Sequence, residues 1–158
     1  MTLKVCLRPS RETDAHFVAS RASNDLYRGI VKLCPRPMFR RHVYTNMLRL
    51  LGSNTQILIA TRADDPEDRI GYIVYSRIGD KLIVHYVWVH TPWRRQGLGS
   101  FLLQQIGITN LYMPIYTSNI TTIAYKINKQ HRKTGKYNIL YLPDLSEEII
   151  NLYKENER

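Results

Sequence analysis

The sequence predicts an α/β (α+β) protein with a mixed, mostly antiparallel central sheet of six to seven strands and helices on both faces. Three observations support this class: β-rich and helical segments alternate, a polar turn at 64–68 separates two β-rich segments, and residues 82–90 are almost wholly apolar. A strand that is apolar on both faces needs cover on both sides. The length of 158 residues suits one domain, so we expect residues 1–158 to form one unit.

Periodicity and turn-forming residues place the elements along the chain. Runs rich in β-branched and aromatic residues mark strands, and apolar residues spaced three and four apart mark helices. The predicted strands are 3–8, 56–61, 70–76, 82–90, 112–117 and 137–142. The predicted helices are 13–26 with Thr13 or Asp14 as cap, 37–51 with Pro37 in the first turn and Gly52 as stop, 100–106, 119–129, and one from Asp144.

A basic turn with two glycines follows the apolar strand and leads into a helix. It reads Arg94-Arg95-Gln96-Gly97-Leu98-Gly99. Glycine lets the backbone approach a ligand closely, and the first amides of a helix attract anions. The turn lacks the Lys-Ser/Thr ending of a Walker loop and the third glycine of the dinucleotide fingerprint. It therefore predicts a phosphate site of another kind.

Residues 94–99 match the pattern Arg/Gln-x-x-Gly-x-Gly/Ala between a buried strand and a helix. This pattern resembles the acetyl-CoA signature of the GNAT (Gcn5-related N-acetyltransferase) superfamily. Residues 5–14 resemble the first strand and helix start of that superfamily, and the resemblance covers about residues 3–130. It implies the GNAT fold and an acetyl-CoA-dependent N-acetyltransferase, in which an amine acceptor attacks the thioester directly.

The resemblance assigns the cosubstrate acetyl-CoA to the strand at 82–90 and the turn after it. It implies that this strand separates from the strand at 112–117 after a bulge, and that the pantetheine arm lies in the wedge between them. The amides of residues 95–100 would hold the pyrophosphate, and the two arginines would add charge, unless one of them is a solvated surface residue. The predicted contacts are Val87, Trp88, Val89, Arg94, Arg95, Gln96, Gly97, Leu98, Gly99 and Ser100, with the backbone of Val87 and Val89 pairing with the pantetheine amides.

Attack of an amine on a thioester needs a donor for the oxyanion and a proton for the departing thiolate. The backbone amide of Val89 is the candidate oxyanion donor. Superfamily members commonly place a proton-donating tyrosine in the pattern Asn-x-x-Ala-x-x-x-Tyr, and this chain has Ser118-x-x-Thr121-x-x-x-Tyr125. Two motif positions differ, so Tyr125 is either the proton donor or an ordinary packing residue, with Tyr116 in reserve.

The general base has a less direct signal, because residues 82–99 contain no carboxylate. His85 lies within the strand, and an imidazole pKa near ~6.5 suits proton transfer close to neutral pH. We therefore predict His85 as the base. The alternatives are that His85 is a buried structural histidine, that His90 serves instead, or that the acceptor arrives already neutral.

Charge is the clue to the acceptor or partner. The chain has 23 Lys and Arg against 13 Asp and Glu, a net charge of +10, with basic residues concentrated at 21–49 and 126–136. Aromatic residues Tyr27, Phe39 and Tyr44 interleave with the first group. This pattern favours an anionic partner such as nucleic acid, or only attracts the CoA phosphates and aids solubility. A DNA-modifying protein similar to phage Mom, or a GNAT-fold binding module without catalysis, are the alternative functions.

Location and assembly have weaker signals. No apolar run approaches the ~20 residues of a membrane span, and the first residues lack the apolar core of a signal peptide, so we expect a soluble cytoplasmic protein. Cys6 and Cys34 lack metal-ligand spacing, which predicts reduced thiols and no metal site. The chain could be a monomer, or a homodimer paired through the edge strand at 137–142.

Overall fold

The computed structural model describes residues 4–30, 35–109, 114–119 and 138–141. Six strands within these ranges form one sheet in the order β1-β2-β3-β4-β5-β6. The strands are β1 (Val5–Pro9), β2 (Gln56–Arg62), β3 (Arg69–Ile78), β4 (Lys81–Val89), β5 (Pro114–Thr117) and β6 (Asn138–Tyr141). The α-helices are α1 (Glu12–Ile30), α2 (Arg36–Leu51) and α3 (Leu98–Gln105), and a 3-10 turn at Thr91–Trp93 precedes α3.

The sheet combines antiparallel and parallel pairing. Strands β1 to β4 are antiparallel to their neighbours, and β2 and β3 form the predicted hairpin. The pairs β4–β5 and β5–β6 are parallel. The predicted mixed, mostly antiparallel sheet is therefore confirmed, and β6 lies at its edge.

Helices cover both faces of the sheet, as predicted. On one face, α1 and α2 supply Val18 and Met47 to a core that includes Tyr72 of β3. On the other face, α3 supplies Leu98 and Leu102 to a second core. Strand β4 contributes to both cores, which explains why its sequence is apolar at nearly every position.

The start of α1 differs from the prediction. The helix begins at Glu12, so Thr13 and Asp14 lie in its first turn and neither is the N-cap. The Asp14 carboxylate instead accepts a hydrogen bond from the Arg11 amide at 2.7 Å, as the third residue of a capping box does. The helix also continues to Ile30, beyond its predicted end at Leu26.

Asp14 also joins three elements of the fold. Its fully buried carboxylate contacts the guanidinium of Arg8 on β1 and that of Arg69 on β3, both at 2.6 Å. Burial alone would raise the pKa of Asp14, but hydrogen bonds from Arg8, the Arg11 amide and Arg69 hold it well below its usual range. The carboxylate stays charged and fixes α1 against the sheet.

The remaining predicted elements agree with the structure or lie outside the described residues. The second predicted helix and all six predicted strands are present with small shifts of their ends. The predicted helix at 119–129 and the one from Asp144 fall on residues that the structure does not describe. Among the helices that it does describe, none has the length and apolar character needed to cross a membrane.

Candidate functional site

Strand β4 contains one extra residue directly after its last pairing with β5. In the register with β3, Val74 pairs with Tyr86 and Tyr75 pairs with Val84, so His85 is the extra residue of a β-bulge. Within the described part of the chain, β4 pairs with β5 only at Ile83 and Val84. Past the bulge, β4 continues to Val89 whereas β5 ends at Thr117, so no described strand pairs with this part of β4 on its β5 side, and we call the space beside it the fork.

The backbone of Val87 and Val89 points into the fork. The amide of His90 donates to the Ile70 carbonyl at 2.8 Å, so His90 directs its backbone groups towards β3. Because successive residues of a strand alternate, Trp88 also faces β3, whereas Val87 and Val89 face the open edge. The Val89 carbonyl accepts a hydrogen bond from Arg94 Nε at 2.9 Å. The Val89 amide lies on the same edge of the strand and faces the fork.

The turn after β4 has the backbone of an anion cradle. Gly97 has a φ of 85° and caps α3, and Arg95 has a φ of 62°. The Phe101 amide donates to the Gly97 carbonyl at 2.9 Å, so the amides just before it lie at the end of the helix dipole. A Cβ on Gly99 would lie 3.9 Å from Val89, an ordinary contact. The fold therefore requires glycine at 97 but not at 99.

The other predicted cofactor residues divide by exposure. Arg94 is half-buried against β4, whereas the side chains of Arg95 and Gln96 are exposed, and Gln96 Nε2 donates to the Pro92 carbonyl at 2.8 Å. Leu98 is buried in the core beneath α3, so its backbone is the part that can meet a ligand. The Trp88 ring is likewise buried, on the α1 face of the sheet, and Ser100 is exposed.

His85 is fully buried between two hydroxyl groups. Ser76 Oγ lies 2.9 Å from its Nε2, and Ser118 Oγ lies 2.6 Å from its Nδ1. Burial lowers the pKa of His85 to about 4, so the ring is neutral at neutral pH. The assignment of His85 as the base stays a prediction, and any proton it exchanges with a ligand has to pass through one of these hydroxyls.

The predicted proton donor Tyr125 and the motif residue Thr121 lie outside the described residues. Ser118, the first residue of the same motif, is buried just after β5 and makes the contact with His85. Tyr116, the reserve candidate, is half-buried, and its ring centroid lies 5.9 Å from Lys81 Nζ. Both tyrosine assignments stay predictions.

A carboxylate that the sequence analysis missed lies beside β4. Asp25 of α1 accepts a hydrogen bond from the Tyr86 hydroxyl at 2.9 Å, although the two residues are 61 positions apart. Burial, followed by Tyr72 and Asp25, raises the pKa of Tyr86, so the phenol stays protonated and donates. Asp25 follows the buried Val18 by seven residues on one helix, and this spacing was the available signal for its position.

The basic segment at 21–49 is partly exposed. Helix α2 has four arginines and no carboxylate, and Arg41, His42 and Arg49 are exposed along it. The aromatic residues predicted to interleave with them are less available: Phe39 is half-buried, and the Tyr44 hydroxyl lies 2.5 Å from His16 Nδ1. The side chain of Tyr27 and the segment at 126–136 lie outside the described residues.

The chain is similar to known proteins in sequence pattern and in structure. A family model described as an acetyltransferase (GNAT) domain matches residues 53–154. No curated protein matches the sequence. A solved structure from Clostridium difficile 630, described as a possible acetyltransferase, is 16% identical with a TM-score of 0.56, and the alignment covers 87% of this chain and 93% of that one.

Two further solved structures are similar in fold. A protein from Pyrococcus furiosus is 12% identical with a TM-score of 0.51, over 98% of this chain and 92% of that one. An integron cassette protein from the mobile metagenome of V. cholerae is 10% identical with a TM-score of 0.50, over 84% and 85%. The family model spans more than half of the sequence and includes β4, the glycine turn and α3. The chain therefore belongs to the GNAT superfamily of acetyltransferases.

Proposed function

We propose that this protein is an acetyl-CoA-dependent N-acetyltransferase that transfers the acetyl group to an amine acceptor by direct attack. One observation carries the proposal: among the described residues, the β4 edge past the bulge is unpaired, and a single 3-10 turn connects this strand to the glycine turn. The backbone groups of Val87 and Val89 on this edge suit the amides of a pantetheine arm. The amides at the start of α3 suit the pyrophosphate that ends the arm.

The turn has separate parts for shape and for charge. Gly97 provides the left-handed backbone that starts α3, and Gly99 leaves space for an approaching phosphate. Arg94 braces the turn through the Val89 carbonyl, while the exposed Arg95 supplies charge to the anion. Gln96, Leu98 and Ser100 contribute backbone amides to the same cradle.

The reaction needs an oxyanion donor and two proton transfers. The Val89 amide, which faces the fork, is the candidate donor to the developing oxyanion. His85 acts as the base through Ser118, whose hydroxyl links the imidazole to the fork. Tyr125 delivers the proton to the departing thiolate. Support for these roles is strongest for His85 and Ser118, which the 2.6 Å contact connects.

Calorimetric titration with acetyl-CoA tests the cosubstrate site. We expect the native protein to bind with a dissociation constant of about micromolar, near −8 kcal/mol. Gly99→Glu places a negative charge at the cradle without backbone strain, so it should abolish binding. Gln104→Glu adds the same charge at an exposed position further along α3 and should bind like the native protein. Absence of binding to the native protein would overturn the proposal.

Nucleic acid is a second candidate partner, favoured by the four arginines of α2, a helix that contains no carboxylate. Arg41 and Arg49 lie two turns apart on one exposed helix face with no carboxylate on α2 to neutralise them. Such a face suits successive phosphates, either of an acceptor for modification or of a ligand for a non-catalytic binding module. The acetyl-CoA titration separates modification of a nucleic acid from simple binding of one, because only modification needs the cosubstrate.

Binding of labelled DNA at increasing salt tests this second candidate. We expect an affinity that falls steeply with salt, and a slope of log affinity against log salt that decreases by about 2 in Arg41→Gln/Arg49→Gln. Lys4→Gln/Lys81→Gln removes the same charge from exposed positions elsewhere on the protein and should change the slope less. Equal slopes for both double variants would exclude α2 as the binding surface.

A further inference from the structure

We propose that Ser76 and Thr55 are positioning residues that keep the proton of the His85 ring on Nε2 and leave Nδ1 free to accept the proton of Ser118. The tautomer follows from the directions of the hydrogen bonds around the ring. Its consequence for catalysis rests on the proposed function, in which His85 acts as the base through Ser118.

A line of hydroxyl groups leads from the His85 ring to the end of α2. Ser76 Oγ lies 2.9 Å from His85 Nε2 and donates to Thr55 Oγ1 at 3.3 Å. Thr55 Oγ1 lies 3.0 Å from Ser53 Oγ, which donates in turn to the Leu50 carbonyl. His85 and Ser76 are buried, and Thr55 and Ser53 are half-buried. Because the line is largely closed to water, the partners within it set where each proton points.

The carbonyl at the end of this line sets the direction of every hydrogen bond in it. A carbonyl oxygen only accepts, so Ser53 uses its single proton on Leu50. Thr55 then donates to Ser53, and Ser76 donates to Thr55. Because the Ser76 proton is already used, the contact between Ser76 and His85 takes its proton from the ring. The ring proton therefore lies on Nε2.

The other side of the ring matches the same tautomer. Burial lowers the pKa of His85 to about 4, so the ring carries a single proton at neutral pH. With that proton on Nε2, the bare Nδ1 accepts from Ser118 Oγ at 2.6 Å. Asn119 Nδ2 donates to Ser118 Oγ at 3.1 Å, which leaves the Ser118 proton available for this bond. Both neighbours of the ring thus agree on one arrangement of protons.

This tautomer gives Ser118 the accepting capacity that the proposed reaction needs. A hydroxyl has one proton and two lone pairs. Ser118 gives its proton to Nδ1 and one lone pair to Asn119, so one lone pair is left for an N–H of the acceptor amine. In the opposite tautomer, Nδ1–H and Asn119 would occupy both lone pairs, and Ser118 could not accept from the amine.

Ser118 lies where the amine would lose its proton. It comes directly after Thr117, the last residue of β5, which pairs with Val84 just before the bulge, so Ser118 lies at the base of the fork. During transfer, the N–H bond of the amine breaks and its electron pair stays on nitrogen. Ser118 takes that proton, and the original Ser118 proton bonds to His85 Nδ1. The bond from Nε2–H to Ser76 holds the ring in place throughout this step.

Nitrogen NMR of protein with isotope-labelled histidine tests the tautomer directly, because a protonated ring nitrogen and a bare one resonate far apart. The spectrum of His85→Gln identifies the His85 signals by their loss. At neutral pH we expect native protein to favour Nε2–H by about tenfold or more, since the other tautomer leaves a bare Nε2 facing a hydroxyl whose proton is already used. Equal populations, or a proton on Nδ1, would overturn the inference.

Thr55→Val gives the sharpest test, because residue 55 does not contact the ring. Valine cannot accept the Ser76 proton, so Ser76 should turn to donate to Nε2, and the ring proton should move to Nδ1. Thr55→Ser keeps the hydroxyl and should keep the native tautomer. Thr61→Val removes another buried hydroxyl of the same region and should also keep it. A merely structural role would change the melting temperature of Thr55→Val but leave the ring proton on Nε2, and that result would overturn the inference.

Ser53→Ala provides a second variant at the half-buried end of the line, should Thr55→Val fail to fold. It removes the acceptor of the Thr55 proton, so Thr55 can donate to Ser76 and Ser76 to His85. We expect the share of Nδ1–H to rise at least severalfold over that of native protein. An unchanged share would contradict the proposed direction of the bonds.

Calorimetric titration with acetyl-CoA separates this inference from the proposed function. Thr55→Val leaves the glycine turn intact and should bind acetyl-CoA like the native protein. Native protein that binds acetyl-CoA but carries the ring proton on Nδ1 would overturn the positioning role alone. The expected tautomers in native protein and in Thr55→Val, without acetyl-CoA binding to either, would support the positioning role and overturn the proposed function.

Discussion

The two edges of β4 differ in how far they are paired. The edge towards β3 pairs from Lys81 to Val89 with one bulge, whereas the edge towards β5 pairs at two positions among the described residues. Paired backbone groups stabilise the sheet, and unpaired groups at a strand edge can bind another molecule. One edge of β4 therefore holds the sheet together, the other presents backbone groups to acetyl-CoA in the proposed function, and the bulge at His85 lies where the pairing with β5 ends.

We expect the pH dependence of stability to come mainly from His85, the bulge residue of β4. The folded pKa of His85 is about 4 against an ordinary value of 6.5, so between these pH values the unfolded chain binds a proton that the folded protein resists. Stability is complete above pH 6.5 and falls as the pH drops towards 4, by about 3 kcal/mol in total, at about 1.4 kcal/mol per pH unit. Chemical denaturation from pH 7.5 to 4 measures this loss.

A matched pair of variants isolates the contribution of His85. In His85→Gln, this part of the pH dependence should disappear, while His42→Gln at an exposed position of α2 should keep it. The same slope in all three proteins would show that the buried imidazole does not titrate as its environment indicates. If His85 is also the base, the rate of acetyl transfer should lose its pH dependence in the glutamine variant.

The paired edge can be broken at Gly71 of β3. A Cβ there would lie 3.1 Å from the Trp88 carbonyl oxygen and 3.2 Å from a methyl group of Leu98. Gly71→Ala should therefore push α3 off the sheet and lower the free energy of unfolding by about 2 kcal/mol. Gly52→Ala, whose Cβ has more space, should change it far less. Thermal unfolding of both variants checks this, and equal melting temperatures would contradict it.

The two glycines of the turn differ in backbone conformation, and under the proposed function Gly97 serves the fold whereas Gly99 serves the ligand. Gly97 has a φ of 85°, so Gly97→Ala should reduce stability by about 1 kcal/mol. Gly99 has no such strain and open space, so Gly99→Ala should leave stability unchanged or slightly higher. Acetyl-CoA binding should nevertheless weaken in Gly99→Ala. Unchanged affinity there would mean that phosphate does not approach this backbone.

The weakest change in acetyl-CoA affinity should come from substituting Arg94 and Arg95, and its salt dependence should differ between the two arginines. Arg95 is exposed, so Arg95→Gln should weaken acetyl-CoA binding about threefold at low salt and by less at high salt. Arg94 holds the Val89 carbonyl, so Arg94→Gln should weaken binding at every salt concentration. Titrations at two ionic strengths test the difference, and matching salt dependence would show that both arginines act through charge alone.

Local patterns were enough to predict the strands, the glycine turn and the cover on both faces of β4. The turn at 94–99 and the apolar run before it each depend on neighbouring residues, since glycine sets the backbone and an all-apolar strand demands burial. The family model and the sheet topology agree with those predictions. The predicted cap of α1 was wrong. Asp14 lies inside the helix and is held by arginines of β1 and β3, and helix periodicity does not reveal such contacts.

Residues close together in the chain encode the family, the order of the described elements and the position of the glycine turn, so all three could be predicted from the sequence alone. Three other features depend on tertiary packing: His85 is the extra residue of β4, Ser118 contacts its ring, and Asp25 lies beside Tyr86. These contacts join residues 33 and 61 positions apart. Strand register and helix docking set such distances, and both result from the packing of the whole sheet against its helices.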